Sequence, residues 1–347
     1  SLCYKKLSMS KKNSSVSLNN GFKDYKDLSK VFLNFSNKIN KLNKKKYVVA
    51  VSGGPDSLGL VALTKAYAYQ KKIKFYYVLV DHSIRKNSHR EAIQVKKLLK
   101  KYKINLKIFT NKKEITKNIQ AEARNARYEI LFNHCKKIKV NALLTAHNME
   151  DQVETFLIRL SRGSGIKGLS AMKSVNKINS KLSLCRPLLD IKKDSLIKIS
   201  KNIFGRYFKD PSNNNKKYLR TKIRNLKRPL EKSGIKYEQI FRSIYNLSIS
   251  KSTLEDYLKK VYKELIKQKN KEIFIDLKKY KDLNPETKMA LINHSVKQLK
   301  ANYYDLRSKK MKNLIQRLNN SNFKKSTLGG CIFFKKGENL CLKVEKI

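Results

Sequence analysis

From residue 46 onward, short runs that are apolar throughout alternate with longer stretches whose apolar residues recur every three or four positions. Tyr47-Val48-Val49-Ala50-Val51 is the first such run and Phe75-Tyr76-Tyr77-Val78-Leu79-Val80 the second. Residues 104–109 and 142–145 form the third and fourth. Helical spacing fills the intervals and flanks at 58–69, 91–102, 119–136 and 149–160. A run too short for a helix and apolar on both faces predicts a strand covered on both sides. Strands of that kind alternating with helices predict an α/β fold, a parallel sheet with helices on both faces. Such a sheet takes its ligand at the carboxyl ends of its strands.

The pattern changes after residue 161. Cys185-Arg186-Pro187-Leu188-Leu189 is a short apolar piece bounded by proline, and Asp210-Pro211-Ser212-Asn213 is a turn. Helical periodicity runs from 218 to 267 and again from 286 to 318, and strand-like residues from 327 to 344 enclose Gly329-Gly330. The expected organisation is an N-terminal extension over 1–45, an α/β domain over 46–217, a helical domain over 218–320 and a small β-rich tail over 321–347. The extension is rich in Ser, Asn and Lys, lacks the apolar core of a secretory signal, and offers Met9 as a start. No run approaches the ~18 apolar residues of a membrane span, so no membrane is expected among the partners.

Composition changes the picture in two places. The chain has 347 residues, 80 of them Lys or Arg against 26 Asp or Glu, for a formal net charge of +54. Apolar residues make up 40%, enough for a real core, which excludes full disorder. The charge suits a polyanion such as nucleic acid. It also suits coding bias, because 66 of the 80 cations are lysine and tryptophan is absent. Under such a bias the arginines are the informative cations, since only they offer a planar, bidentate fork. Eleven of the fourteen lie between Arg85 and Arg228, with Arg242, Arg307 and Arg317 outside. The five cysteines are scattered without a CxxC pair or a Cys/His cluster, which suggests neither a zinc module nor a disulfide framework and fits a reducing compartment, the cytoplasm.

The strongest chemical signal is Ser52-Gly53-Gly54-Pro55-Asp56-Ser57, between the first strand and the helix that follows. Backbone amides and a helix N-terminus bind phosphate at such a place, and glycines let the backbone come close. The loop is neither G-x-x-x-x-G-K-[ST] nor G-x-G-x-x-G. Asp151 and Glu154 are three apart on the first turn of a helix and share a face. They either build a polar site there or simply offset the helix dipole. Arg124 and Arg127 share another helix face and point to phosphate, to RNA or to solvent. Arg220 and Arg224 are i, i+4 neighbours in a segment that Lys222, Lys227 and Arg228 make basic throughout. His82 and His147 each follow a strand and either line a nucleotide pocket or end a strand.

The strand–SGGPDS–helix unit resembles the PP-loop pyrophosphatase family, whose members cleave ATP between the α and β phosphates and activate a carbonyl oxygen as its adenylate. Further pieces follow in order: Asp81-His82-Ser83-Ile84-Arg85, Glu122 to Tyr128, Thr145 to Thr155, Arg162-Gly163-Ser164-Gly165, Arg186-Pro187-Leu188-Leu189, Asp210 to Asn213, Tyr218-Leu219-Arg220 and Ile223-Arg224. As a set, over roughly 46–230, they resemble the tRNA(Ile)-lysidine synthase family.

That resemblance implies ATP and Mg²⁺ as cofactors, with tRNA(Ile) bearing a CAU anticodon and free L-lysine as partners. The wobble cytidine would be adenylated at its carbon-2 oxygen and the lysine ε-amine would then displace AMP, changing decoding from AUG to AUA. Carried over residue by residue, Ser52, Gly53, Gly54, Pro55, Asp56, Ser57, His82, Arg124 and Arg127 would bind ATP, with Asp56 also holding Mg²⁺. Asp56, Asp151, Glu154 and Arg220 would be catalytic, the two acids of the Asp151 helix holding or deprotonating lysine's amine. Arg220, Arg224 and Arg228 would contact tRNA. Alternatives are a PP-loop tRNA thiolase, disfavoured by the scattered cysteines, and a basic RNA-binding protein without catalysis, disfavoured by the intact loop and acids. ATP-dependent pyrophosphate release with and without tRNA separates them.

Overall fold

The computed structural model describes residues 26–83, 87–111, 113, 118–208, 218–300, 308–320 and 323–345. Cys3, Met9, the Ile84-Arg85 pair, the Asp210–Asn213 turn and Arg307 therefore lie outside the described residues. The chain forms two compact units that divide in sequence between Leu247 and Ser248.

The first unit opens with helix α1 (Lys26–Leu42), inside the stretch expected as an extension. Then β1 (Lys46–Val51), α2 (Pro55–Gln70), β2 (Lys74–Asp81), α3 (Ser88–Lys101), β3 (Leu106–Thr110), α4 (Ile119–Lys137), β4 (Ala142–Leu144) and α5 (Met149–Leu160) alternate as their patterning predicts. The short helix α6 (Ile166–Leu169), strands β5 (Val175–Lys177) and β6 (Ser183–Cys185), and helix α7 (Lys193–Phe204) follow. Helices α8 (Leu219–Asn225), α9 (Lys227–Lys232) and α10 (Tyr237–Leu265) come after, and the division between units falls within α10.

The sheet has the order β3–β2–β1–β4–β6–β5, parallel except for the antiparallel β5–β6 edge. Side chains alternate across it, and β1 shows why its sequence is apolar without a break. Tyr47, Val49 and Val51 enter a core built with α1, α2, α3 and α7. Val48 enters a second core on the other face with Val78, Val80, Leu131 and Leu143. Helix α2 is buried nearly all round, from Ser57 to Thr64 and again at Ala66 and Tyr67. It packs closely on α7: a Cβ added to Gly59 would stand 3.1 Å from Leu196 Cδ2. Strands β2 and β3 lie to one side of β1 and β4 to the other. Chain direction around the sheet therefore reverses between β1 and β4, and a crevice opens beyond their carboxyl ends at such a switch point.

The second unit holds β7 (Ile266–Lys269), β8 (Glu272–Asp276), α11 (Leu277–Asp282), α12 (Pro285–Leu299), α13 (Ser308–Asn319), β9 (Lys325–Leu328), β10 (Cys331–Lys336) and β11 (Asn339–Val344). Its sheet is antiparallel throughout, in the order β7–β8–β11–β10–β9. This departs from the expected limits at 217/218 and 320/321. The tail is not a separate piece, because Ile275 of β8 pairs with Leu340 of β11 and both enter one core with Tyr280, Leu291, Val296 and Leu314. The helical stretch is interrupted by a hairpin whose two-residue turn, Asn270-Lys271, has positive φ at both positions, 49° and 62°.

Candidate active site

At the end of β1 the chain turns through Ser52-Gly53-Gly54 into α2, with Pro55 in the first turn. Gly53 has φ +82°, and a Cβ there would lie 2.6 Å from Val95 Cγ2, so conformation and space both demand glycine. Ser57 fastens the loop: its hydroxyl accepts from the Ser52 amide at 3.1 Å and donates to the Gly54 carbonyl at 3.0 Å. Phe208 closes the outside, its amide donating to the Gly53 carbonyl at 3.0 Å.

A cleft of about 760 Å³ lies over this loop. Ser52, Gly54, Pro55, Asp56, Ser57, Arg124, Arg127, Asp151, Arg220 and Arg224, ten residues singled out in the sequence, line it together. Its walls combine Ala50, Val78, Val80 and Leu131 at an apolar end with Arg124, Arg127, Lys193, Arg220 and Arg224 elsewhere. Five cationic side chains against three carboxylates (Asp56, Glu91, Asp151) among the lining residues suit a polyanion with an apolar group attached.

Helix α5 presents its acids at the crevice. Asn148 caps it: Asn148 Oδ1 accepts from the Asp151 amide at 3.0 Å, and Asp151 Oδ2 accepts from the Asn148 amide at 3.1 Å. Asp151 Oδ1 accepts from Arg220 Nη2 at 2.8 Å. Glu154, only 2% exposed, accepts from Arg220 Nε at 2.9 Å and from Arg224 Nε at 2.8 Å. The acid pair and the arginine pair thus form one network joining α5 to α8. Asp151 divides its two oxygens, Oδ2 closing the helix cap and Oδ1 joining Arg220.

Burial changes how Asp56 and His147 titrate. Burial raises the Asp56 carboxyl to about 6, opposed by Lys193 and reinforced by Asp151. Burial pushes His147 well below its usual range, and Arg186, Arg124, Arg127 and Arg220 push it the same way, so the imidazole is neutral at physiological pH. Its Nδ1 lies 3.0 Å from the Thr145 hydroxyl. Arg124 and Arg127 sit over the Tyr128 ring, 5.2 and 5.4 Å from its centroid.

Two buried polar atoms of the lining residues make no hydrogen bond: Asp56 Oδ1 and Arg127 Nε. Each is of the kind a phosphorylated ligand with its cation would satisfy. Asp56 fits a magnesium ion that takes one protein carboxylate and draws its other oxygens from phosphate and water. Among the described residues no group of three or more His, Cys, Asp or Glu is placed to hold a metal by itself.

Four predicted residues are not in the lining: Gly53 lies within the loop, Glu154 is buried and reaches the cleft only through Arg220 and Arg224, His82 follows β2, and Arg228 is exposed on α9. Sequence reasoning missed Lys193, Tyr207 and Phe208, which do line it. Lys193 was hidden among the lysines. The aromatic pair just before the Asp210 turn carried a signal that was available. No helix of the described residues is long and apolar enough to cross a membrane.

A model of the PP-loop domain matches residues 27–230. The tRNA(Ile)-lysidine synthase of Wolbachia pipientis wMel is 32% identical over 302 residues, covering 85% of this chain and 69% of that protein. The enzyme of the same name from Rickettsia typhi is 33% identical over 311 residues, 86% of this chain and 69% of that protein. Among solved structures, the U34-tRNA thiolase of Methanococcus maripaludis, determined with its 4Fe–4S cluster, matches with a TM-score of 0.53. It is 22% identical over 63% of this chain and 79% of that one, a likeness of fold.

Proposed function

The chain belongs to the PP-loop family and, within it, to the tRNA(Ile)-lysidine synthases, and from that premise we propose that it ligates free lysine to the wobble cytidine of a CAU-anticodon tRNA(Ile) in two ATP-driven steps. The observation that supports this best is the meeting, in one cleft, of a phosphate loop with a buried acid–arginine network.

In the first step the carbon-2 oxygen of cytidine attacks the α-phosphorus of ATP, and pyrophosphate leaves with the electron pair of the broken bond. The loop amides and the α2 N-terminus hold the departing phosphates, since both offer positive charge where negative charge collects. Arg124 and Arg127, which also line the cleft, take phosphate oxygens. Asp56 would hold a magnesium ion, which would supply further neutralisation of that charge. The apolar end of the cleft takes a base.

In the second step the ε-amine of lysine attacks carbon 2, the bond from carbon 2 to the AMP oxygen breaks with its electron pair leaving on AMP, and the amine gives up its proton to the carboxylate that holds it. Asp151 and Glu154 hold the amino groups of lysine, and Arg220 and Arg224, already bonded to those acids, hold the reacting nucleotide beside them. Arg228, exposed on α9, contacts the tRNA outside the cleft. The product would read AUA in place of AUG, and the four free cysteines among the described residues support a reducing compartment, the cytoplasm, as the setting.

One incubation tests the proposal: protein, ATP, Mg²⁺, labelled lysine and a CAU-anticodon tRNA(Ile). Label transferred to RNA, with AMP and pyrophosphate in equal amounts, is the expected result. Pyrophosphate release without lysine transfer, or transfer of sulfur from a sulfur donor, overturns it.

A further inference from the structure

Lys193 is the first residue of α7 and lines the cleft beside Asp56, with Nζ 4.0 Å from Asp56 Oδ2. That is ion-pair range but longer than a hydrogen bond, so the ammonium has hydrogen-bonding capacity to give a ligand. Its neighbour Lys192 turns to a different place, pairing with Glu238.

The placement of Lys193 is secured by a separate buried acid. Residue 192 precedes α7 as its N-cap but has no side-chain oxygen to accept the first amides of the helix. Glu150 of α5 does so instead, Oε2 accepting from the Lys193 amide at 2.9 Å. Glu150 is 6% exposed, and its other oxygen takes Lys227 Nζ at 3.3 Å. The Met149 amide donates to the Ile191 carbonyl at 3.0 Å, tying the same two helix starts together. A carboxylate is costly to bury without partners. Here both partners are present, and one of them is the backbone of the residue that enters the cleft.

We propose that Lys193 is a catalytic residue of the ATP step, its ammonium contacting the pyrophosphate portion of ATP, and that Glu150 is the positioning residue that fixes it. The proposal rests on the PP-loop reading of this cleft. In the step itself the bond from α-phosphorus to the α,β-bridging oxygen breaks, the new bond to the carbonyl oxygen forms, and the electron pair stays on pyrophosphate. Lys193 stabilises that charge through hydrogen bonds and transfers no proton. It has no part in the attack of lysine on carbon 2.

The test uses the full chain with Lys193→Met, Lys193→Arg, Glu150→Ala and the Lys193→Met/Glu150→Ala pair. Calorimetric titration with pyrophosphate and with ATP, without tRNA or lysine, is read beside the rates of the two half-reactions. Lys193→Met is expected to weaken pyrophosphate binding and slow adenylation by about 10- to 100-fold, the range of one charge-assisted contact, with the KM for lysine unchanged. Lys193→Arg should recover most of the pyrophosphate affinity. Glu150→Ala should weaken it too, and in the double variant the two losses should not add, because both act through one ammonium. Lys193 is one-third exposed, so its variants isolate the effect even if Glu150→Ala melts early. Wild-type protein that binds pyrophosphate no better than Lys193→Met does overturns the proposal, as does a loss confined to lysine transfer. Wild-type protein that binds neither ATP nor pyrophosphate overturns the PP-loop reading itself.

Discussion

On the proposed mechanism, Asp151→Asn should separate the two half-reactions. The substitution keeps the shape and one acceptor oxygen but removes the charge. Asp151 Oδ1 meets Arg220 Nη2 at 2.8 Å and Oδ2 meets the Asn148 amide at 3.1 Å. The Asp151 side chain is 20% exposed and that of Arg220 34%, so the pair is partly in water. Its loss then costs about 0.5–1.5 kcal/mol, well short of a fully buried pair. That lowers the melting temperature by about 1–6 °C in a unit of this size. The effect on lysine is larger. An ammonium deprived of a carboxylate partner loses about 1.5–3 kcal/mol, roughly ten- to a hundredfold in binding. If the carboxylate also eases deprotonation of the attacking amine, a further ~10²–10⁴-fold goes from the second step. The assay forms adenylated tRNA without lysine, measures pyrophosphate, then adds labelled lysine. The variant should release pyrophosphate at near wild-type rate and transfer little lysine, with partial rescue at high lysine. Equal loss in both steps would refute the reasoning and move Asp151 to the ATP side. No loss in either would leave only its capping bond.

Glu154→Gln removes the charge that receives both Arg220 and Arg224, and should cost about 2–4 kcal/mol in chemical denaturation. A change under ~0.5 kcal/mol would show the network to be idle. Gly53→Ala forces a side chain into φ +82° against Val95, a strain of about 1–3 kcal/mol, so ATP titration should show weakened binding alongside a lower melting temperature. Asp56 gives a pH signature. Its folded pKa of about 6 lies above the ordinary 3.8, so its contribution to stability falls as pH rises between those values. Wild type should therefore lose up to roughly 3 kcal/mol relative to Asp56→Asn between pH 4 and pH 7, read from denaturation midpoints. Magnesium-dependent ATP binding should run the other way, falling as pH drops through 6. A pH-independent difference between the two proteins would exclude the raised carboxyl.

The sheet of the first unit was legible because its strands are buried on both faces, which leaves β1, β2 and β4 almost no polar residue. The phosphate loop was legible because its glycines answer a conformational demand that few residues meet. The β7–β8 hairpin was not. Its turn reaches positive φ with Asn270-Lys271 rather than with glycine, and its strands are four and five residues long. Lys193 was not legible because one lysine among 66 conveys nothing until its surroundings are known. Spacing placed Asp151 beside Glu154 and Arg220 beside Arg224, but no local rule joins residues so far apart in sequence.

That separation has a consequence in time. The bonds between α5 and α8 span 66 to 70 residues of chain. At a synthesis rate of ~5–20 residues per second, α5 leaves the ribosome roughly 3–14 seconds before its arginine partners. During that interval Glu154 belongs to a helix that can already pack, yet the cations that make its burial tolerable do not exist. The nascent sheet can close over β1 to β4, but the acid face of α5 must stay in water until α8 arrives. Assembly of this acid–arginine network is then a late event, and pulse-labelled nascent chains halted before Leu219 should retain a protease-sensitive α5 beside an already protected β1.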